Sequence, residues 1–291
     1  MLECVVNISE GRDLTVVAAI AAACGDALLD VHTDADHHRS VLTLCGTAES
    51  DAPAAARALT DAAVTLLDLT HHDGVHPRLG AIDVVPFVAL APTAPGTAVD
   101  AALAYAEWIV ATHGVPAFLY GTADPQGRTL PDARRDAFVE RAPDLGRDAP
   151  HPRLGAVAVG ARPPLVAINV EVEGTDLALV RRVAYEVRER DGGLPGVRAL
   201  GLALPELGRT QVSMNLVDLD RTGIEAACTE VERRVGAAGG RPGRIELVGL
   251  VPAAARDACS PRFLERSGIT EAHTVEHAVA ARGRDGTSGL R

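Results

Sequence analysis

Gln211-Val212-Ser213-Met214-Asn215-Leu216 alternates polar and apolar residues at every step. Extended backbone sends successive side chains to opposite faces, so Val212, Met214 and Leu216 form an apolar row, while Gln211, Ser213 and Asn215 form a polar one. Such a strand belongs to a sheet that packs helices on one side only. Its neighbours supply the rest of that sheet. Leu165–Val172 reads as a strand with Asn169 turned away from its apolar neighbours, Asp176–Arg188 as a helix, and Val197–Leu204 as a strand. After the quoted strand come a helix at Ile224–Ala237 and a last strand at Arg244–Val251. The order is β-α-β-β-α-β, the split or ferredoxin-like arrangement, in which helices cover one face of an antiparallel sheet and leave the other open.

The N-terminal half repeats that order. Strand-like Leu2–Ile8 is followed by an alanine- and valine-rich helix over about 14–24, which Gly25 ends. Two β-prone runs, Ala27–His32 and Val41–Cys45, precede a helix at Ala52–Leu67 and a strand at Ile82–Val88. A further helix, Ala98–Thr112, and a strand, Ala117–Tyr120, extend the lobe, and Arg141–Pro150 reads as loop. The expected fold is α+β: two ferredoxin-like subdomains, 1–163 and 164–280, whose bare sheet faces meet across an inter-lobe tunnel, the usual kind of place for a small ligand. Residues 281–291 have the composition of a tail without structure.

Composition narrows the chemistry. The chain has 291 residues, enough for two compact units, and a formal net charge of -11, which disfavours nucleic acid and anionic membranes as partners. It contains no lysine, which excludes Schiff-base and pyridoxal phosphate chemistry and a Walker-type phosphate site. The five cysteines lack any metal or redox spacing and read as reduced, buried side chains. With no secretory signal at the N-terminus, the expected location is cytoplasmic.

Two features concentrate chemistry. The hexapeptide His-Pro-Arg-Leu-Gly-Ala occurs at His76–Ala81 and again at His151–Ala156, each time leading into an apolar, strand-like run. Proline holds the preceding residue extended, arginine offers a planar fork of donors, and glycine permits an unusual turn. Histidines also cluster, with His32, His37 and His38 in one loop and His71, His72 and His76 in the other, among Asp34, Asp36 and Asp73. Imidazole titrates near neutrality and suits proton transfer, with carboxylates to orient it. Gly74, Pro77, Arg78 and Gly80 around His76 single it out from the other rings. A metal site is the rival reading of these loops, but their spacing matches no metal signature.

The sequence resembles the glutamate formimidoyltransferase (formiminotransferase) family. The resemblance rests on Val6–Arg12, the Asp30–Val41 loop, Gly74-Val75-His76-Pro77-Arg78-Leu79-Gly80-Ala81-Ile82-Asp83-Val84-Val85-Pro86-Phe87, Val159–Pro163, Gln211–Leu216 and Glu246–Pro252. It implies paired ferredoxin-like subdomains around a tunnel, transfer of a formimino group from N-formimino-L-glutamate to tetrahydrofolate as co-substrate, no metal, and a homodimer. On this reading His76 is the acid/base. Arg39, Arg78, Asp34, His38, Gly80, Asp83 and Asn215 contact substrate, and Arg162, Gln211, Ser213 and Asn169 contact the folate. Phe87, Phe118, Tyr120 and Trp108 are the aromatics available to stack a pterin, and each suits a core equally well. The chain departs from the family pattern where Val75 replaces a glutamate and His38 an asparagine. Three alternatives stay open: a paralogue that transfers a formimino or formyl group to or from another amine, a metal-dependent hydrolase, and a folate-binding protein without turnover.

Overall fold

The computed structural model describes residues 1–285. They divide into two compact units, Met1–Arg162 and a second that begins at Pro163.

The first unit runs β1 (Leu2–Ile8), α1 (Leu14–Ala22), β2 (Leu28–Asp34), β3 (Arg39–Cys45), α2 (Asp51–Leu66), β4 (Ile82–Ala89), α3 (Pro95–His113), β5 (Ala117–Gly121), α4 (Leu130–Asp136) and β6 (Val157–Ala161). Its six strands lie in the order β2-β3-β1-β4-β6-β5. β1 is antiparallel to both β3 and β4, whereas β6 is parallel to both β4 and β5. Alternate residues Cys4, Val6, Leu42, Leu44, Val85 and Phe87 turn to one face and pack with Ile20, Leu59, Tyr105 and Ile109 of the helices. α2 contributes Ala52, Ala55, Ala56 and Ala63 to that core, and side chains this small let a helix sit close to its sheet. Asp13 starts α1 by accepting the Thr15 and Val16 N–H groups. Over β5 and β6 the other face is also covered: Val84, Phe118, Tyr120 and Ala158 pack with Ala133 of α4.

The second unit runs β7 (Val166–Val172), α5 (Leu177–Val187), β8 (Val197–Leu204), β9 (Arg209–Leu216), α6 (Ile224–Ala237) and β10 (Pro242–Val248), followed by α7 (Ala253–Asp257), α8 (Pro261–Ser267) and α9 (Val275–Asp285). Its sheet is antiparallel throughout, in the order β10-β7-β9-β8. Val212, Met214 and Leu216 join Ile168, Val170, Val183 and Val231 in a core under α5 and α6, as the alternation predicts. Asn169 and Ser213 are register partners on the opposite face.

The architecture is therefore mixed α+β with two sheets, and each unit contains the β-α-β-β-α-β order read from the sequence. Three differences from that reading stand out, the first two with physical reasons. α4 was not expected; its start is a capping box in which Thr129 and Asp132 satisfy each other's N–H groups, with proline in the first turn. β10 begins at Pro242 and ends at Val248, earlier than read, because a strand tolerates proline as its first residue. Residues 281–285, read as tail, continue α9, and the remainder of that stretch lies outside the described residues. Among the described residues no helix is long and apolar enough to cross a membrane.

Candidate active site

The first unit gathers most of the candidate residues where β3, β4, α4 and two loops meet. Arg39 is the first residue of β3, paired in register with Asp34. Asp83 arrives by a bulge. Asn7 of β1 faces Val84, yet the next residue, Ile8, faces Ile82, so the pairing skips Asp83. The extra residue re-aims the chain: Ile82 turns to the helical core with Val85, and Asp83 is freed from that face.

The Asp83 side chain is fully buried, and its oxygens are occupied. Arg39 and Arg134 both donate to Oδ2 at 2.5 Å, and the Leu79 N–H donates to Oδ1 at 2.6 Å. Burial alone would raise its pKa, but the two guanidiniums and the N–H outweigh that and bring it down to about 2. Asp83, expected to contact substrate, thus anchors a strand, a helix and the loop after His76. Arg39 also donates Nε to Asn7 Oδ1 at 3.1 Å.

The histidine loops are clipped together by Arg78. Its terminal nitrogens donate to the carbonyls of His37, His38 and His76 at 3.1, 3.3 and 2.8 Å, and reach the His72 ring at 2.8 Å. A guanidinium bonded to main-chain carbonyls positions the loops that carry them. Gly74 makes the clip fit, since a Cβ there would lie 2.5 Å from Arg78 Nη2. His38 and His72 stack with ring centroids 3.8 Å apart. His38 sits at φ 49°, the left-handed region, and its ring faces the Asp73 carbonyl at 2.7 Å and Glu10 Oε1 at 3.1 Å. His72 is pushed down to about 4, first by burial and then by Arg78 and His38. Asp34 holds the turn between β2 and β3 by accepting the His37 N–H at 2.7 Å.

His76 is half-buried, with its ring centroid 5.8 Å from that of His37. Nδ1 lies 2.8 Å from the Pro77 carbonyl, which can only accept, so Nδ1 carries the hydrogen and Nε2 of the neutral ring keeps its lone pair. Burial holds the imidazole well below its ordinary pKa, Arg39 and Arg134 lower it further, His37 adds to this, and Asp83 opposes them. The ring is therefore neutral at neutral pH.

The second hexapeptide is pinned against the first. Gly80 and Gly155 form an antiparallel bridge, flanked by Ala81 N–H to Leu154 carbonyl at 2.9 Å and Ala156 N–H to Leu79 carbonyl at 3.1 Å. Arg153 donates to the carbonyls of Leu67 and Val64 at 2.6 Å, closing the end of α2. The His151 Nδ1 accepts from the N–H groups of Arg153 and Leu154. Gly80 thus serves close backbone approach, and its carbonyl accepts from Ser9 Oγ at 2.8 Å.

Arg162 follows β6 and hydrogen-bonds the buried Tyr120. In the second unit Gln211 is fully buried and Asn215 is exposed. Asn169 donates to Glu246 at 3.0 Å, and Glu171 on the same face takes Arg209 at 2.5 Å and Arg244 at 3.1 Å. Phe87 and Phe118 are fully buried and Tyr120 nearly so, all within apolar clusters, and Trp108 packs against the core. Sequence reading missed Arg134, Glu171 and Glu246. The Thr129-x-x-Asp132 start was the available signal for the helix that carries Arg134. Among the described residues no group of three or more His, Cys, Asp or Glu is arranged to hold a metal ion.

Known proteins match this chain along its length. A family model described as formiminotransferase domain, N-terminal subdomain, matches residues 1–162, and one described as formiminotransferase domain matches 167–288. The chain is similar to a glutamate formimidoyltransferase of Streptococcus pyogenes serotype M1, 34% identical over 88% of this chain and 90% of that one. It is similar to a glutamate formimidoyltransferase of Thermoplasma acidophilum, 34% identical over 96% and 97%. A formimidoyltransferase-cyclodeaminase of Sus scrofa is 33% identical over 98% of this chain, which spans 57% of that longer protein.

Proposed function

The chain belongs to the formiminotransferase family, and from that premise we propose that it transfers the formimino group of N-formimino-L-glutamate to tetrahydrofolate, giving 5-formiminotetrahydrofolate and glutamate. The observation that carries the chemistry is the His76 ring, whose Nδ1 is committed to the Pro77 carbonyl and whose neutral Nε2 is left to accept a proton.

In the proposed reaction a ring nitrogen of tetrahydrofolate attacks the formimino carbon and forms the new C–N bond. His76 Nε2 takes the proton that this nitrogen loses. The same imidazolium then protonates the glutamate nitrogen as its bond to carbon breaks, so one residue serves both halves and ends unchanged. Arg39 and Arg134 place two positive charges against the single carboxylate of Asp83, and the surplus charge beside His76 favours an anionic substrate. His38, Asp34, Arg78 and Gly80 act on that substrate through the shape of their loops. The folate is assigned the polar row Asn169, Gln211 and Ser213 of the second unit. We read both β-α-β-β-α-β blocks as ferredoxin-like, a reading supported by the orders β2-β3-β1-β4 and β10-β7-β9-β8.

The test is a steady-state assay of the purified chain with formiminoglutamate and tetrahydrofolate, followed spectroscopically. Turnover that requires both compounds supports the assignment. Turnover with another amidine donor but none with formiminoglutamate would replace the glutamate substrate and leave the transfer chemistry standing.

A further inference from the structure

Arg12 and His38 tie together the same three stretches of chain. Arg12, in the turn after β1, donates Nε to the Ala35 carbonyl at 3.1 Å and Nη1 to Asp73 Oδ1 at 2.9 Å. His38, in the turn between β2 and β3, places Nδ1 2.7 Å from the Asp73 carbonyl and Nε2 3.1 Å from Glu10 Oε1. Asp73 and Gly74 lead directly to His76. Gly74 comes so close to the turn that a Cβ on it would lie 2.9 Å from that of His38. The Arg12–Asp73 pair is open to water, whereas the side chains of His38 and Glu10 are largely buried.

Both partners of the His38 ring are acceptors. A main-chain carbonyl never donates, and Glu10 Oε1 already receives the N–H groups of Gly11, Arg12 and Asp13 at 2.9, 2.8 and 2.9 Å. Burial would raise the Glu10 carboxyl, but the Asp13 and Arg12 N–H groups outweigh it and, with His38, hold it below its ordinary range. A neutral imidazole has one hydrogen for these two acceptors and would turn a lone pair toward the other. His72, stacked on His38, is not the charged ring of the pair, because Arg78 Nη1, which only donates, lies 2.8 Å from its nitrogens. We infer that His38 is a positioning residue that works as a cation, donating from both ring nitrogens and so clasping the loop that leads to His76 against the turn after β1. The inference rests on the reading of His76 as the proton-transfer group and names what holds its loop. Around the ring, the Glu10 carboxylate favours the charge, and Arg78, bonded to the His38 carbonyl, opposes it. Arg12 fastens the same stretches at every pH, so the His38 clasp is the part that base can open.

The test is NMR of the His38 ring in isotopically labelled protein, assigned through its bonds to the His38 backbone. At neutral pH both ring nitrogens are expected to carry hydrogen, and one bare nitrogen would overturn the inference. Glu10→Gln keeps the acceptor oxygen and removes its charge, so in that variant the second hydrogen is expected to be lost at a lower pH than in the parent. Loss at the same pH would equally count against it. The ring reports whether or not turnover occurs, so the inference and the transfer reaction can fail separately. As the solution is made alkaline, kcat/KM of the parent is expected to fall about threefold or more relative to that of His38→Asn. The asparagine amide tolerates the same left-handed backbone and keeps its hydrogens at every pH. A ring that merely packs predicts parallel profiles for the two proteins, and parallel profiles would refute the positioning role. Should either variant fail to fold, the ring state of the parent protein decides alone.

Discussion

Gly80 and Gly155 face each other across an antiparallel bridge, so the two copies of His-Pro-Arg-Leu-Gly-Ala fold against one another. A Cβ on Gly80 would lie 2.1 Å from the Ala156 carbonyl oxygen, and one on Gly155 would lie 2.3 Å from that of Leu79. Gly155 also has φ 70°, where L side chains are strained. The repeat is thus two half-motifs that meet. One copy carries His76 and clips the histidine loops, and the other closes α2.

Alanine at Gly155 is expected to cost about 2 kcal/mol or more of stability, from backbone clash and strain together. Chemical denaturation of the variant measures it. A loss under about 0.5 kcal/mol, the range of ordinary surface substitutions, would show that the bridge is looser than described.

The two arginines of the repeat should separate by readout. Arg153→Met removes donors from two carbonyls at the end of α2 and is expected to cost about 1–2 kcal/mol of stability, with kcat close to the parent value. Arg78→Met unclips the loops around His76 and is expected to lower kcat/KM by about tenfold or more, since small displacements of a catalytic group are costly. Thermal melts and steady-state kinetics on both variants check this. Equal kinetic losses would contradict the division of labour.

Much of this was legible in the sequence because it depends on local alternation. The Gln211–Leu216 alternation gave the strand its two faces, and the histidine-rich loops marked the stretch that Arg78 clips together. Arg134 was hidden because its partner, Asp83, is 51 residues away and meets it only through a bulge. No periodicity signals which residue a bulge re-aims. The offset between the two hexapeptides was equally unreadable, because Gly80 and Gly155 meet through chain reversal and not as equivalent places in a duplicated fold. Asp83 and Arg78 were noticed for their charge, but only the structure reveals that the carboxylate and much of the guanidinium are used up internally.

Stability should fall as the solution is acidified from about pH 6.5. In the folded chain His72 takes up its proton only near about 4, and His76 is also held well below its ordinary value. Across that window the unfolded chain binds protons that the folded chain refuses, so protonation favours unfolding. Asp83, brought down to about 2, stays charged and stabilising throughout the same window, and its contribution is lost only as the pH falls further toward that value. Melting temperature is expected to decline between pH 6.5 and 4, and His72→Gln is expected to flatten the slope. A flat profile in the parent protein, or an unchanged slope in the variant, would contradict the burial of these rings.

The central claim, that the His76 ring moves the proton during formimino transfer, is tested most directly by kcat for His76→Gln beside the parent protein, with folding verified by circular dichroism and folate binding measured separately. The account predicts that kcat falls by about 10²–10⁴-fold while folate still binds. A folded variant that turns over at nearly the parental rate would contradict it.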